Sequence, residues 1–163
     1  MKYIAILIIL ILEVYAFPSE KVGTVTVLPI PRFVMLKSKD VNMRYGPGIN
    51  YPLKMNYKCY HLPLKVLSEF ETWRLVKDSN GNEGWIHEVM LDKNKSVEIV
   101  FDNTKDFRIS ILRLPDPKAK PIVLVENGTV ANLIKCKGDW CKIALNKIYK
   151  GWIHKRNLWG VDS

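Results

Sequence analysis

The sequence predicts an all-β protein built from two tandem copies of one small barrel. Three observations indicate this fold class. Trp73 and the run Gly84-Trp85-Ile86-His87 recur as Trp140 and Gly151-Trp152-Ile153-His154 at a constant offset of 67 (140 − 73 and 154 − 87). Short alternating apolar runs are separated by frequent turn signals. The chain offers no amphipathic helix of about ten residues or more. A repeat at a fixed period indicates two copies of one structural unit.

The N-terminal residues 1–16 predict a secretory signal peptide that is not part of the fold. Lys2 gives a positive start, residues 4–12 form an unbroken apolar run of nine, and Val14-Tyr15-Ala16 supplies small residues before the cleavage point. Cleavage after Ala16 would leave 147 residues (163 − 16). A retained membrane anchor is the alternative, although the run is too short to cross about 30 Å of hydrocarbon as a helix.

The mature chain divides into a linker and two units. Residues 17–31 are punctuated by three prolines and a glycine, which favours a linker over a helix. Residues 32–92 form the first predicted domain, residues 93–97 a short connector and residues 98–161 the second domain. Each domain has about 60 residues, close to the lower limit for an independent core.

The predicted strands follow the same order in both units. Residues 62–67 alternate, with the apolar positions 62, 64 and 66 on one face. Ser79-Asn80-Gly81-Asn82 is a tight hairpin signal. The other predicted strands are residues 74–76 and 83–89 in unit one and residues 130–136, 141–145 and 148–154 in unit two, with a turn near Asn146-Lys147.

One pair of positions predicts a different cross-link in each unit. Cys136 and Cys141 flank the turn signal Gly138-Asp139, so we expect a disulfide across a hairpin, with two reduced cysteines as the alternative. The offset of 67 maps them onto Glu69 and Arg74, which predicts an ion pair there. We expect the disulfide to contribute roughly 2 kcal/mol. An exposed Glu–Arg pair would contribute less than about 1 kcal/mol.

The chain is basic, with a formal net charge of +9 from 25 Lys and Arg against 16 Asp and Glu. Such a field attracts anions: cell-wall polymers, lipid head groups or nucleic acid. Export would exclude nucleic acid as a partner. The charges are scattered, so a solvated basic surface is an equal alternative to a dedicated patch. No segment after the leader is apolar enough to span a membrane, and we expect a monomer.

Motifs in both units resemble the bacterial SH3 domain (SH3b), whose pattern runs Asn-x-Arg-x-Gly-Pro, Trp-x-x-Val and Gly-Trp-Ile/Val. Unit one has Val41-Asn42-Met43-Arg44-Tyr45-Gly46-Pro47-Gly48, Trp73-Arg74-Leu75-Val76 and Gly84-Trp85-Ile86. Unit two has Ile111-Leu112-Arg113-Leu114-Pro115 but lacks the Gly-Pro-Gly loop. The closing Leu158-Trp159-Gly160 is similar to an exported SH3-like family of alphaproteobacteria with two such units.

The resemblance implies a five-stranded SH3-like barrel in each unit. It also implies a non-catalytic targeting module of the cell envelope, often linked to peptidoglycan or its stem peptides. We therefore expect a periplasmic or secreted binding protein that acts mainly through unit one, with unit two as a structural partner. The alternative is a protein–protein adaptor that binds a peptide segment of another envelope protein through the groove between the barrels.

The candidate ligand-binding residues are Asn42, Arg44, Tyr45, Tyr51 and Trp73. A Gly-Pro-Gly loop lets a ligand approach the backbone. Arginine gives a two-point charged hydrogen bond to a carboxylate, and aromatic faces cover the C–H surface of a sugar. The structural alternative is that Asn42 caps a turn, Arg44 braces the loop and Tyr51 belongs to the core.

Catalysis and cofactors are not expected. Cys59 and His61 lie two residues apart, but no orienting Asp or Asn is evident for a nucleophile and base. His87 and His154 end the same strand in both units, and we expect exposed strand histidines rather than metal ligands. The sequence has no phosphate loop, metal cluster or nucleotide signature.

Overall fold

The computed structural model describes residues 21–102 and 108–161, and within them the prediction of two tandem all-β units is confirmed. Each unit is one antiparallel seven-stranded sheet. The sheet contains seven strands rather than the five that the resemblance implies, because two further strands extend it beyond a run of five. The predicted signal peptide, residues 1–16, lies outside the described residues.

Unit one contains seven strands and one short 3-10 helix. In chain order they are β1 Arg32–Leu36, β2 Val41–Arg44, β3 Leu53–Tyr57, β4 Pro63–Phe70, β5 Trp73–Lys77, β6 Glu83–His87, the helix Glu88–Met90 and β7 Leu91–Asp92. The strand order in the sheet is β3-β2-β6-β5-β4-β1-β7. The five strands from β3 to β4 form the continuous part, and β1 and β7 are the two that extend it.

Unit two repeats this arrangement. Its elements are β8 Ser96–Ile99, β9 Ile109–Leu112, β10 Pro121–Val125, β11 Val130–Lys137, β12 Trp140–Leu145, β13 Tyr149–His154, the 3-10 helix Lys155–Asn157 and β14 Leu158–Trp159. The sheet order is β10-β9-β13-β12-β11-β8-β14, which matches unit one strand for strand. Ser96 and Val97, which we expected in the connector, are already strand, so the link between the units is residues 93–95.

Each unit buries the alternate side chains of its strands in its own core. Leu64 and Val66 are fully buried on β4, as the alternation predicted, and Val41 and Met43 are buried on β2 on either side of exposed Asn42. The buried core of unit one is Ile30, Leu36, Val41, Met43, Tyr57, Leu64, Val66, Val76 and Ile86. The buried core of unit two is Val97, Ile99, Ile111, Val125, Ala131, Ile143, Leu145 and Ile153.

The second half of the predicted linker folds against unit one. We name residues 21–30 the N-terminal loop. Val22 forms an isolated bridge with Pro29, which closes the loop. The backbone N–H groups of Val25 and Thr26 donate to Glu69 Oε2 at 3.0 and 2.9 Å. The N-terminal loop is therefore part of the folded unit.

The two predicted cross-links are both present, but the ion pair is buried rather than exposed. The disulfide Cys136–Cys141 joins opposed residues of β11 and β12. Glu69 and Arg74 oppose each other on β4 and β5, with Arg74 Nε at 3.7 Å from Glu69 Oε1. Glu69 is 5% exposed because the N-terminal loop covers it. Arg74 is 3% exposed, donates to the backbone carbonyls of Glu71 and Trp73, and also pairs with Glu88. The expectation of an exposed pair was wrong.

The two units contact each other through β1, β4 and the C-terminal strand. The ring of Trp159 meets Phe33 edge to face at 5.3 Å, and its Nε1 donates to the carbonyl of Pro63 at 3.3 Å. Glu98 of β8 is also buried at 8% exposure. Burial raises the pKa of Glu98, a hydrogen bond with Ser79 of unit one lowers it in part, and the nearby Asp78 raises it further.

Candidate ligand-binding surface

The loop between β2 and β3 of unit one is shaped by the packing of one tyrosine on a glycine. A Cβ atom on Gly46 would lie 2.2 Å from Cδ1 of Tyr51, so only glycine leaves room for this ring. Gly48 is less constrained, since its Cβ atom would lie 3.3 Å from the same ring. The Gly-Pro-Gly sequence therefore holds Tyr51 against the loop, with 48% of its surface exposed.

Large apolar side chains are concentrated on the outside of this loop. Tyr45, Ile49, Tyr51 and Leu53 are 63%, 75%, 48% and 51% exposed. We name these four residues, with Arg44 and Lys54, the loop face. Exposed apolar side chains grouped in one segment and bordered by cations are typical of a binding surface.

Arg44 both braces the loop and faces solvent. Its Nη1 donates to the carbonyl oxygen of Tyr51 at 2.8 Å, which is the bracing role that we kept open. No carboxylate among the described residues forms an ion pair with Arg44. Guanidinium carries five N–H donors, so the side chain can bind an incoming anion while it holds the loop. Lys54 lies 5.5 Å from the ring centre of Tyr45 and adds a second positive charge.

Asn42 borders the loop face through a side-chain network. It lies two residues before Arg44 on β2, and its Oδ1 accepts a hydrogen bond from Asn56 Nδ2 at 2.7 Å. Asn56 also donates to Asp40, which pairs with Lys58. Hydrogen bonds from Lys58 and Asn56 lower the pKa of Asp40 and keep this carboxylate charged. Asn42 is exposed, but its acceptor atom already has a partner.

Trp73, which we expected among the ligand-binding residues, is not part of the loop face. It is 8% exposed. It is opposed to His87 in the sheet register, and the two rings meet at 5.2 Å. The ring is therefore covered by its own strand partner and is closed to a ligand. Trp140 of unit two pairs in the same way with His154, at 5.3 Å, but remains half-buried.

The repeated histidines have a structural role that the sequence pattern did not reveal. Nδ1 of His87 accepts a hydrogen bond from the backbone N–H of Val89 at 3.4 Å, and Nδ1 of His154 accepts one from Arg156 at 3.3 Å. Each histidine thereby caps the 3-10 helix that follows its strand. The signal available in the sequence was the repeated spacing, which indicated a shared role but not which one.

Cys59 and His61 do not face each other along a strand. Both lie in the turn between β3 and β4, and Cys59 Sγ contacts the carbonyl oxygen of Tyr60 at 3.4 Å. Burial raises the pKa of the Cys59 thiol, and the charge of Glu98 adds to this rise. A thiol with a raised pKa is a poor nucleophile.

Two concave regions of the structure contain none of the predicted ligand-binding residues. A cleft of about 690 Å³ in unit two lies beside the half-buried Trp140 and is bordered by Pro117, His154 and Arg156. A groove of about 770 Å³ lies between the units and contains residues of both. The sequence raised the groove between the units as an alternative but did not give its residues, because these depend on how the units pack, and it gave no indication of the cleft in unit two. Among the described residues, no group of His, Cys, Asp and Glu has the arrangement of a metal site.

Comparisons with known proteins identify both units. The family described as Bacterial SH3 domain matches residues 37–93 and 105–160. A search of curated proteins found no match. No helix in the described part of the chain has the length and apolar character needed to cross a membrane.

Solved structures show only distant similarity. NlpC1 from Trichomonas vaginalis is 12% identical with a TM-score of 0.35, over 84% of this chain and 48% of that chain. NlpC2 from Trichomonas vaginalis is 14% identical with a TM-score of 0.35, over 82% and 51%. An NlpC/P60 family protein from Bacillus cereus is 14% identical with a TM-score of 0.34, over 78% and 56%. The chain therefore spans about half the length of each, and similarity at this level carries no conclusion about function.

Proposed function

The chain belongs to the Bacterial SH3 domain family, and from this premise we propose that it is a non-catalytic cell-envelope module that binds peptidoglycan or its stem peptides. The observation that carries the proposal is the loop face of unit one, where exposed Tyr45 and Tyr51 stand beside Arg44 and Lys54. Unit two has no Gly-Pro-Gly loop at the corresponding position.

The loop face suits a ligand that carries both carboxylates and apolar surface. An arginine N–H pair binds a carboxylate through charged hydrogen bonds. The exposed tyrosine rings cover C–H groups of a sugar or a peptide side chain at small entropic cost. A stem peptide attached to a glycan offers both kinds of surface, which is why we favour it over a purely apolar ligand.

A location outside the cytoplasm supports this ligand class. The predicted signal peptide and the disulfide Cys136–Cys141 both fit an exported protein, because disulfides persist in oxidising compartments. The non-catalytic assignment is supported by Cys59, whose thiol has a raised pKa and contacts a backbone carbonyl.

The proposal can be tested by binding to purified sacculi. The full chain and two variants are incubated with sacculi and separated by centrifugation. Tyr45→Ala removes an exposed ring, and we expect it to lower the bound fraction about fivefold or more at sub-saturating protein, as for an aromatic anchor. Leu114→Ala is the matched control, because Leu114 follows Arg113 as Tyr45 follows Arg44 and is 59% exposed. It should bind like the wild type.

Two results would refute the proposal. Wild-type protein that remains wholly in the supernatant would remove peptidoglycan as the ligand. Equal losses in Tyr45→Ala and Leu114→Ala would remove the loop face as the site. Circular dichroism of each variant confirms that the fold is retained.

A further inference from the structure

The two units differ at the edge of one corresponding strand. In unit one, β1 pairs with β4 only as far as Val66. The N-terminal loop then covers the rest of β4: the Thr24 hydroxyl donates to the backbone carbonyl of Glu69 at 3.1 Å, and the Thr26 hydroxyl donates to its carboxylate at 2.6 Å. The second half of this strand edge is therefore occupied by the chain itself.

In unit two the corresponding edge is open. β8 pairs with β11 at Val130, Ala131 and Asn132, and one more hydrogen bond runs from Leu133 N to Lys95 O at 3.2 Å. Beyond Leu133, no strand in residues 21–102 or 108–161 pairs with this edge. The chain reaches β8 directly from β7, so no described segment of unit two is equivalent to the N-terminal loop. An unpaired edge offers its backbone N–H and C=O groups to another strand.

This open edge forms one wall of the groove between the units. The groove measures about 770 Å³, and four consecutive β11 residues, 133–136, line it. Pro29, Pro31 and Phe33 of unit one also line the groove. The groove is therefore long enough in the strand direction to accept an extended segment of several residues.

The groove is positively charged. Its charged lining residues are Arg32, Lys95, Lys135 and Lys155, and no Asp or Glu of residues 21–102 and 108–161 lines it. Arg32 is neutralised by Glu69 at 2.6 Å, which leaves three lysines. Lys95 and Lys135 are exposed. An occupant with negative charges at spaced positions would be complementary to this wall.

We propose that the groove binds an extended acidic peptide, which adds as a strand to the open edge of β11 in the place that the N-terminal loop takes in unit one. Main-chain hydrogen bonds would give the affinity, and alternate acidic side chains would meet the lysines. A flat membrane surface does not enter a concave groove, and a glycan has no strand backbone to pair with the edge. This site is separate from the loop face and does not rest on the proposed function.

The test uses a fluorescein-labelled peptide of five Thr-Glu repeats, titrated with the full chain at physiological ionic strength. Fluorescence anisotropy gives the dissociation constant. The double variant Lys95→Glu/Lys135→Glu should weaken binding about tenfold or more, because it replaces attraction with repulsion. Lys118→Glu/Lys120→Glu makes the same change in net charge at exposed lysines outside the groove, and should bind as the wild type does.

A second peptide separates strand pairing from charge alone. Methylation of alternate backbone nitrogens keeps the glutamates but removes the donors, and we expect about tenfold weaker binding. Equal losses in the two double variants, or unchanged binding of the methylated peptide, would overturn the proposal. If heparin, added at the same concentration of negative charges as the peptide, displaced the unmethylated peptide efficiently, the groove would be assigned to an anionic glycan instead. Tyr45→Ala should leave peptide binding unchanged, so failure here is distinct from failure at the loop face.

Discussion

Glu69 joins three segments of unit one through one buried carboxylate. It accepts hydrogen bonds from the N-terminal loop and from Arg32 of β1, and it lies opposite Arg74 of β5. Burial alone would raise the pKa of Glu69, but the hydrogen bonds from Thr26, Arg32 and Val25 outweigh it and hold the pKa at about 2. The charged form is therefore part of the native fold.

Glu69→Gln tests this account at residue scale. At pH 7 the variant should lower the free energy of unfolding by about 3 kcal/mol, because it leaves Arg32 without its counter-charge and removes one of the two carboxylates beside Arg74, which keeps its pair with Glu88. The folded pKa of about 2 lies below the ordinary value of 4.5, so the stabilisation is present above pH 4.5 and is lost as the pH falls towards 2. Urea unfolding of the wild type and of Glu69→Gln should show that the difference between their free energies of unfolding becomes smaller as the pH falls from 4.5 towards 2.

The control for Glu69→Gln is the same change in an exposed pair. Glu126 pairs with Arg108 at 2.9 Å, and both side chains are more than half exposed. Glu126→Gln should cost less than about 1 kcal/mol. If Glu69→Gln lowered the free energy of unfolding by an equally small amount, or by an amount that does not change with pH, the stabilising role of the buried Glu69 carboxylate would be contradicted.

At the scale of elements, the repeated Gly-Trp-Ile motif is explained by a close approach of two strands. A Cβ atom on Gly84 would lie 2.9 Å from the carbonyl oxygen of Arg44, and one on Gly151 would lie 2.7 Å from that of Leu112. β6 therefore lies close to β2, and β13 close to β9, at a glycine in both units. The sequence shows this glycine in both units, but the steric reason for it is a contact between strands that are about 40 residues apart along the chain.

His87→Ala tests the cap at the end of β6. Loss of the Nδ1 acceptor for Val89 N–H should lower the free energy of unfolding by about 1 kcal/mol. His87→Asn keeps a side-chain acceptor and should recover most of this loss. Urea unfolding measures both variants.

The same variants also test the alternative that the histidines are metal ligands. Added Zn²⁺ should leave the melting temperature of the wild type unchanged, since the histidines act as caps. A Zn²⁺-dependent rise that disappears in His87→Ala would contradict the capping role.

The fold class and the disulfide could be predicted because their signals are local, and the repeat because its short motifs recur at a fixed offset. Alternation within strands, turn residues and a hairpin that brings Cys136 to Cys141 need only a few neighbouring residues. The N-terminal loop could not be predicted, because prolines and glycines are equally common in linkers and in folded loops. Its contacts with Glu69 connect residues more than 40 positions apart. The burial of Trp73 depends likewise on its cross-strand partner His87.

On the scale of the whole molecule, the two units are alike in topology and different in the surfaces they offer. Unit one has the Gly-Pro-Gly loop and a β4 edge closed by the N-terminal loop. Unit two has a disulfide and an open β11 edge. The two units contact each other through the rings of Trp159 and Phe33. We therefore expect the units to bind different ligands rather than to act as two equal copies.

The most direct measurement of this division is an NMR titration of the ¹⁵N-labelled full chain with a soluble muropeptide that carries a stem peptide. We predict saturable shifts of backbone amides in residues 42–54, with the corresponding residues 111–121 of unit two unaffected. Shifts confined to unit two, or no shifts at millimolar ligand, would contradict the assignment of the binding site to unit one.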